Sequence, residues 1–308
     1  MNPHLLVVGS INMDLIVQCP RQPRPGETMH GDSFHTAPGG KGANQAVACS
    51  RLGAQTTIVG RVGEDEFGGK LRHSLEADGV SVDWVCLDPE ASTGVALILL
   101  EESGQNRIII VSGANAHMGQ AETAAAAQLL SQADAVLMPL EVPLPVVKSV
   151  AQQARERGVR CVLDAGPANP AAAELVGLVE VISPNEIETE ALVGFPVRAP
   201  DDARAAARFL REAGARNVVL KLGERGAYWM GELGEGHVPA FRVDPVDTTA
   251  AGDAFTACLA VALAQGLDMP QAVRRANAAG ALACLKLGAQ PSMPTAEELR
   301  VFLRDRTA

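Results

Sequence analysis

The chain predicts a three-layer αβα domain: a mostly parallel central sheet between two layers of helices, with a small antiparallel sheet attached. Two observations carry this. Short apolar segments alternate regularly with longer helical ones, the pattern of a parallel sheet with helices on both faces. Two segments, 15–37 and 93–112, break the alternation and read as paired strands. In order, Leu5–Val8 followed by Gly9 reads as a buried strand, Gly40–Arg51 as a helix, Thr56–Val59 as a strand and Asp65–Asp78 as a helix. Ala124–Ala127 belongs to a helix. Ala135–Met138, Arg160–Leu163, Val179–Ile182 and Val218–Leu220 are short apolar strands. Helices are expected over Pro143–Arg157, Glu186–Val193 and Asp201–Ala213, and three more close the chain at Ala254–Gln265, Pro270–Cys284 and Thr295–Arg304. Leu15–Ala37 holds a turn at Pro23–Glu27 between two strand-like pieces. Thr93–Ser112 reads as a hairpin: Gly94–Leu100, a turn at Glu102-Ser103-Gly104-Gln105, then Arg107–Val111. These two pieces together would project as a small sheet, and its apolar faces need a cover. Residues 1–308 are expected to form a single domain carrying that sheet.

Composition narrows the function. The chain has 308 residues, 47% apolar but only 3% aromatic, which suits a core of Ala, Val and Leu. Net charge is −10 and the basic residues are scattered, so the basic stripe that nucleic acid requires is absent. The cysteines at 19, 49, 86, 161, 258 and 284 form no Cys-x-x-Cys pair and mostly lie in apolar runs. They are expected to be reduced core residues of a cytoplasmic protein. Met1–Val8 lacks a basic region and a long apolar core, so no signal peptide is expected. No apolar run approaches the ~20 residues needed to span a bilayer.

Chemistry concentrates in a few loops. Asp247-Thr248-Thr249-Ala250-Ala251-Gly252-Asp253 is a polar turn that runs straight into an apolar helix. Free amides and the positive end of the helix dipole there suit an anion, typically a phosphate. A carboxylate beside a phosphate repels it, unless Asp253 takes a proton from a nucleophile attacking that phosphate. An ordinary first-turn Asp, favoured by the dipole, is the plainer alternative. Pro38-Gly39-Gly40-Lys41-Gly42-Ala43-Asn44-Gln45-Ala46 lets a ligand approach the backbone closely, and Lys41 and Asn44 can hydrogen-bond a polyhydroxylated one. It is not a P-loop, because Gly42 stands where that motif needs Ser or Thr. Asn12 and Asp14 occupy alternate positions and face the same way if the chain is extended. Asn185 and Glu188 form a capping-box-like pair that could also serve a hydrated Mg²⁺. Lys221-Leu222-Gly223-Glu224-Arg225-Gly226 would let a nucleotide lie against backbone, or is a plain tight turn.

Four motifs in this order are together similar to those of the ribokinase-like (PfkB) family of carbohydrate kinases, and most closely to its ribose-phosphorylating members. They are Gly39–Ala46, Ser183-Pro184-Asn185-Glu186, Asp247–Asp253 and Lys286-Leu287-Gly288-Ala289-Gln290-Pro291-Ser292, and the resemblance covers essentially the whole chain. It implies transfer of the γ-phosphoryl group of ATP, with Mg²⁺, to the 5-hydroxyl of ribose. It implies an acceptor site of Asn12, Asp14, Gly40, Lys41, Asn44 and Glu141, with Asp253 as general base. Backbone amides of Ala250, Ala251 and Gly252 would cradle the moving phosphoryl group. Asn185, Glu188, Lys221, Gly223, Gly226, Gly252 and Asn277 would serve nucleotide and hydrated Mg²⁺. Asp247, Thr249, Ala283, Lys286, Gly288 and Ser292 would hold K⁺, mostly through carbonyls. The small sheet becomes a lid over the sugar, with Ala96, Ile98 and Ile110 on its apolar face, and it commonly pairs in a homodimer. There are three departures, Ala254-Phe255-Thr256-Ala257 after Asp253, Ala250 in place of Gly, and Asp164-Ala165-Gly166-Pro167 in place of an Asn-Pro loop, and the last two bear on the acceptor. Kinases of 2-deoxyribose, a nucleoside, another sugar or a sugar acid remain open, as does a non-catalytic sugar or nucleotide sensor on this fold.

Overall fold

The computed structural model describes residues 2–101 and 106–306; the turn expected at Glu102–Gln105 lies outside them. The chain runs β1 (His4–Val8), β2 (Asn12–Cys19), β3 (Ser33–Gly39), α1 (Lys41–Arg51), β4 (Gln55–Gly63), α2 (Glu66–Ala77) and β5 (Val80–Asp88). It continues through β6 (Gly94–Glu101), β7 (Asn106–Val111), α3 (Gln120–Leu129), β8 (Ala135–Met138), α4 (Leu144–Arg157), β9 (Arg160–Asp164), β10 (Val181–Ser183) and α5 (Glu186–Val193). It closes with α6 (Pro200–Glu212), β11 (Asn217–Lys221), β12 (Ala227–Gly231), β13 (Gly234–Val238), α7 (Ala251–Ala264), α8 (Met269–Ala283) and α9 (Ala296–Arg304).

Nine strands form the main sheet in the order β13-β12-β11-β10-β9-β8-β1-β4-β5. All neighbours from β11 to β5 are parallel, and β12 and β13 add antiparallel at one edge. Strand period divides the core in two. Leu5 and Val7 face the layer of α1, α2, α7, α8 and α9, while Leu6 and Val8 face α3 to α6. Both faces of the strands are therefore apolar, which is why they read as continuous apolar runs rather than alternating ones.

The sequence left β5, β12 and β13 unassigned. β5 mixes Ser81, Asp83 and Cys86 with apolar residues, so its apolar run is broken. β13 is Gly-Glu-Gly-His-Val, whose composition disfavours a strand, and it exists because β12 offers it a ladder. α7 begins at Ala251, three residues earlier than the apolar run suggests, because its first turn is polar. The second sheet has the order β3-β2-β6-β7. It starts at Asn12 and ends at Gly39, wider than the 15–37 segment, because Asn12 pairs with both Gly39 and Gly94. No helix among the described residues is long and apolar enough to cross a membrane. The six thiols are free, four of them buried and Cys86 and Cys284 half-buried.

Candidate active site

β1, β8, β9, β10 and β11 all end at the same edge of the main sheet, and each delivers a polar group at or just past its last residue. Strand order reverses at β1, which neighbours β8 on one side and β4 on the other. Open α/β sheets bind ligands at such a point. Ser10, after β1, donates to Glu141 Oε2 at 2.6 Å, after β8. The Lys41 backbone amide donates to the same oxygen at 3.0 Å. Burial pushes the Glu141 carboxyl above its ordinary value.

The turn before α1 forms because glycine occupies it. Gly40 has φ 88°, and a Cβ there would lie 2.7 Å from the Asn12 nitrogen. A Cβ at Gly39 would lie 2.3 Å from an Asp14 carboxylate oxygen, so the small sheet and the turn touch at that carboxylate. Asn12 and Asp14 do lie in one strand and face one way. Register sets Asp14 opposite Ala96, and Ala96 opposite Ile110, so all three share a face with Ile98. Asn12 Oδ1 accepts from Asn115 Nδ2 at 2.8 Å. A cavity of about 400 Å³ opens here, lined by Asn12, Ile110, Asn115, Leu140, Glu141 and Pro167.

Asp14 is held in a costly state. Burial, and then the Glu141 and Asp253 charges, push its carboxyl up from 3.8 to about 7. In the unfolded chain it ionises near 3.8. Between those values the unfolded state binds fewer protons than the folded one, so this group loses stability as pH rises and the loss is complete above about 7. Asp14→Asn removes that penalty. The stability difference between variant and parent, and with it the Tm difference, should grow from about pH 4 to about pH 7, the former at roughly 1.4 kcal/mol per pH unit, and then level. A difference that is flat from pH 4 to 8 in thermal melts refutes this.

The first turn of α7 supplies the centre. Ala250 caps the helix with φ 58°, left-handed and without a capping side chain. Such a conformation costs roughly 1–2 kcal/mol for a non-glycine residue. It turns Ala251 N–H toward Thr248 O at 3.3 Å and leaves the helix N-terminus facing a cavity lined by Ala251 and Gly252. Asp253 is buried and takes three donors: Lys41 Nζ at 2.8 Å, Asn44 Nδ2 at 3.0 Å and Gln45 Nε2 at 3.0 Å. Lys41 also meets Asp164 Oδ2 at 3.0 Å. Burial would push the Lys41 ammonium down, but the carboxylates of Asp164, Asp253 and Glu141 hold it well above its usual value. Asn44 Oδ1 is buried with no partner, a free acceptor beside Asp253.

The cavity that the α7 N-terminus faces is the larger one, about 1000 Å³. Lys221, Gly223, Gly226, Gly252, Phe255 and Asn277 line it. The Asn277 amide is committed to the carbonyls of Val238 and Pro239. Asn185 and Glu188 form a full capping box at the start of α5, and Glu188 Oε2 lies 3.7 Å from Lys221 Nζ. Burial raises the Glu188 carboxyl despite that lysine.

Asp247 ties two loops together. Oδ1 accepts from the Thr249 amide and hydroxyl, and Oδ2 from the Gly288 amide at 2.8 Å. Ala283 is buried at the end of α8. The Lys286 ammonium instead pairs with Glu298, and Ser292 donates to Ala289 O. Glu188 stands apart from any cluster of three ligating side chains among the described residues.

Sequence reasoning gave no role to Gln45, Asp164, Ser10, Asn115 or Thr256. Gln45 and Asp164 are both fully buried. Their signal was a polar residue inside an apolar helix and one at the end of an apolar strand.

Residues 2–296 match the model of the pfkB family carbohydrate kinases. A ribokinase of Bacillus subtilis is 39% identical over 303 residues, covering 97% of this chain and 99% of the relative. A deoxyribokinase of Salmonella typhi is 36% identical over 300 residues, covering 97% and 98%. The structure of Arabidopsis thaliana ribokinase complexed with ribose and ATP superposes with a TM-score of 0.91 at 35% identity, covering 99% of each chain.

Proposed function

Because the chain belongs to the pfkB family of carbohydrate kinases, we propose that it transfers the γ-phosphoryl group of ATP to the 5-hydroxyl of D-ribose, giving ribose 5-phosphate and ADP. The observation that carries the reading is the position of Asp253. It sits in the first turn of α7, bonded to Lys41 and Asn44 of the glycine turn and next in sequence to Gly252, which lines the larger cavity.

In this reading Asn12, Asp14, Gly40, Lys41, Asn44 and Glu141 bind the sugar hydroxyls. Asp253 accepts the 5-hydroxyl proton as that oxygen attacks the γ-phosphorus, and the bond to the β-γ bridging oxygen breaks to release ADP. The amides at the α7 N-terminus, Ala250 to Gly252, stabilise the charge on the moving phosphoryl group. Asn185, Glu188, Lys221, Gly223, Gly226 and Asn277 hold the nucleotide. Glu188 would stand near a hydrated Mg²⁺, which would supply charge neutralisation to the phosphates, and Asp247, Thr249, Ala283, Lys286, Gly288 and Ser292 would hold K⁺ beside the turn ahead of α7.

Residues 1–308 act as one kinase unit, with the small sheet of segments 15–37 and 93–112 as a lid. Ala96, Ile98 and Ile110 on its inner face exclude water, which would compete as acceptor. Phe34, Ile109 and Val111 are exposed on the opposite face. A second copy of the chain would cover them, so a homodimer through the lid is part of this reading. Ile109→Asp should then sediment as a monomer while the parent is a dimer; equal sedimentation refutes the interface. Free, largely buried thiols support a cytoplasmic setting.

The deoxyribokinase relative supports 2-deoxyribose as second reading, since the two sugars differ by one hydroxyl. The test is coupled ADP release with ribose, 2-deoxyribose, nucleosides, fructose and sugar acids, in K⁺ or in Na⁺ alone. Ribose should give the highest kcat/KM, and more in K⁺. Weak turnover of ribose beside strong turnover of another acceptor overturns the assignment, and sugar binding without any ADP release indicates a sensor.

A further inference from the structure

Asp164 is fully buried at the end of β9, and its two oxygens serve different sites. Oδ1 accepts from Lys221 Nζ at 2.6 Å. Oδ2 faces Lys41 Nζ at 3.0 Å and accepts from Gln45 Nε2 at 2.7 Å. Beyond these, Lys41 reaches Asp253 at 2.8 Å and Lys221 lies 3.7 Å from Glu188. The result is an alternating row, Asp253–Lys41–Asp164–Lys221–Glu188, running from the sugar turn to the edge of the larger cavity. Gly166 permits it, since a Cβ there would lie 2.3 Å from Glu188 Oε1 and 2.9 Å from Lys41 Cε. Lys221 lines the larger cavity, and its ammonium is 3.8 Å from where a Cβ on Gly252 would stand, at the α7 N-terminus.

We propose that Asp164 is a positioning residue that couples nucleotide arrival to release of the base: a nucleoside triphosphate draws Lys221 off Asp164, and Asp164 then draws Lys41 off Asp253. The inference rests on the assignment of the larger cavity to the nucleotide and of Asp253 to the base. Lys41 is shared between two carboxylates at nearly equal distance, 2.8 and 3.0 Å, so a change in either one's other partners decides which holds it. Three carboxylates share two ammoniums along the row, and a polyphosphate competes strongly for an ammonium. Once Lys221 turns to phosphate, the whole Asp164 charge faces Lys41. Asp253 then keeps Asn44 on Oδ2 and Gln45 on Oδ1, and the Oδ1 position that Lys41 held opens to the hydroxyl proton. With Lys41 on it, Asp253 Oδ1 already accepts from two donors, Lys41 and Gln45. The device withholds the base until the phosphoryl donor is in place.

The chain has five lysines, at 41, 70, 148, 221 and 286, which makes side-chain ¹⁵N spectra of lysine-labelled protein assignable by substitution. Magnesium AMP-PNP alone should shift both the Lys221 and Lys41 ammonium signals in the parent. In Asp164→Asn the nucleotide should shift Lys221 and leave Lys41 unmoved, and kcat should fall about tenfold or more with the KM for ATP within about threefold. That variant orphans a buried lysine and loses Tm, so Asp164→Asn/Lys221→Met is the control. It should regain most of the Tm, keep the low kcat and show no nucleotide-driven shift of Lys41. An unmoved Lys41 signal in the parent overturns the proposal, as does the same shift in Asp164→Asn or full kcat in the double variant. Failure of the parent to phosphorylate ribose would sink the acceptor assignment instead, and the nucleotide-only spectra would still decide the role of Asp164.

Discussion

Asp253→Asn is expected to lower kcat by about 10²–10⁴-fold, the usual contribution of a general base. That corresponds to about 3–5 kcal/mol of transition-state stabilisation. Binding should survive. Asn has the shape of Asp, and its carbonyl can still accept from Lys41 or Gln45, which now meet Asp253 Oδ1 at 2.8 and 3.0 Å. Lys41 also keeps Asp164 as a charged partner at 3.0 Å. The amide lacks the lone pair that takes the hydroxyl proton, so the loss should fall on kcat rather than on the KM values. Calorimetric titration of D-ribose and of magnesium AMP-PNP should give affinities within a few-fold of the parent. A variant that turns over at near-parental kcat removes Asp253 from the base role. One that binds neither ligand makes it a structural anchor.

Lys41→Met carries the second large effect, on stability as well as on turnover. Met matches the length of the stem but deletes the charge that faces Asp253 and Asp164 and lies near Glu141. Only the Gln45 amide then bridges the two aspartates, at 2.7 and 3.0 Å. Removing one partner of a buried ion pair costs about 3–5 kcal/mol. The sign of the pH dependence follows from the direction of each shift. Lys41 is raised in the fold, so its contribution is fully present throughout the neutral range and is lost only in strong alkali. Without it the enclosed carboxylates move up relative to the unfolded chain, and ionising them destabilises the fold. The Tm deficit of Lys41→Met should therefore be small near pH 4 and grow toward pH 8. Melting curves that show the same deficit at both pH values, or none at pH 8, would mean that charge balance is not what Lys41 supplies.

The two variants act on residues that sequence reading had picked out for different reasons. Lys41 stood in a glycine turn and Asp253 in the first turn of a helix, 212 positions later. Their contact could not be read from either motif. It depends on α1 and α7 packing side by side on one face of the sheet, with both N-termini at the carboxyl edge of the strands. Asp164 shows the opposite failure. Its loop was noticed as a departure from the family pattern, but nothing local says that the carboxylate will be fully buried between two lysines. A buried charge is legible only once its partners are known.

What the sequence determined by itself is what depends on neighbours along the chain. Apolar runs of strand length with helical segments between them determine a parallel sheet and its two helical layers, because each strand must bury both faces. The turns 39–42 and 250–253 are local as well, since glycines, a cap position and the start of an apolar helix are adjacent in sequence. Tertiary structure alone decided which charges meet. It gave β13 a ladder that its composition does not earn, and it buried Asp14 beside Glu141 and Asp253, which pushes its carboxyl up to about 7. It also set Asp253, Lys41, Asp164, Lys221 and Glu188 in one row. Electrostatic energy depends on distance and burial, and these partners come from separate strand ends that only the folded sheet brings together.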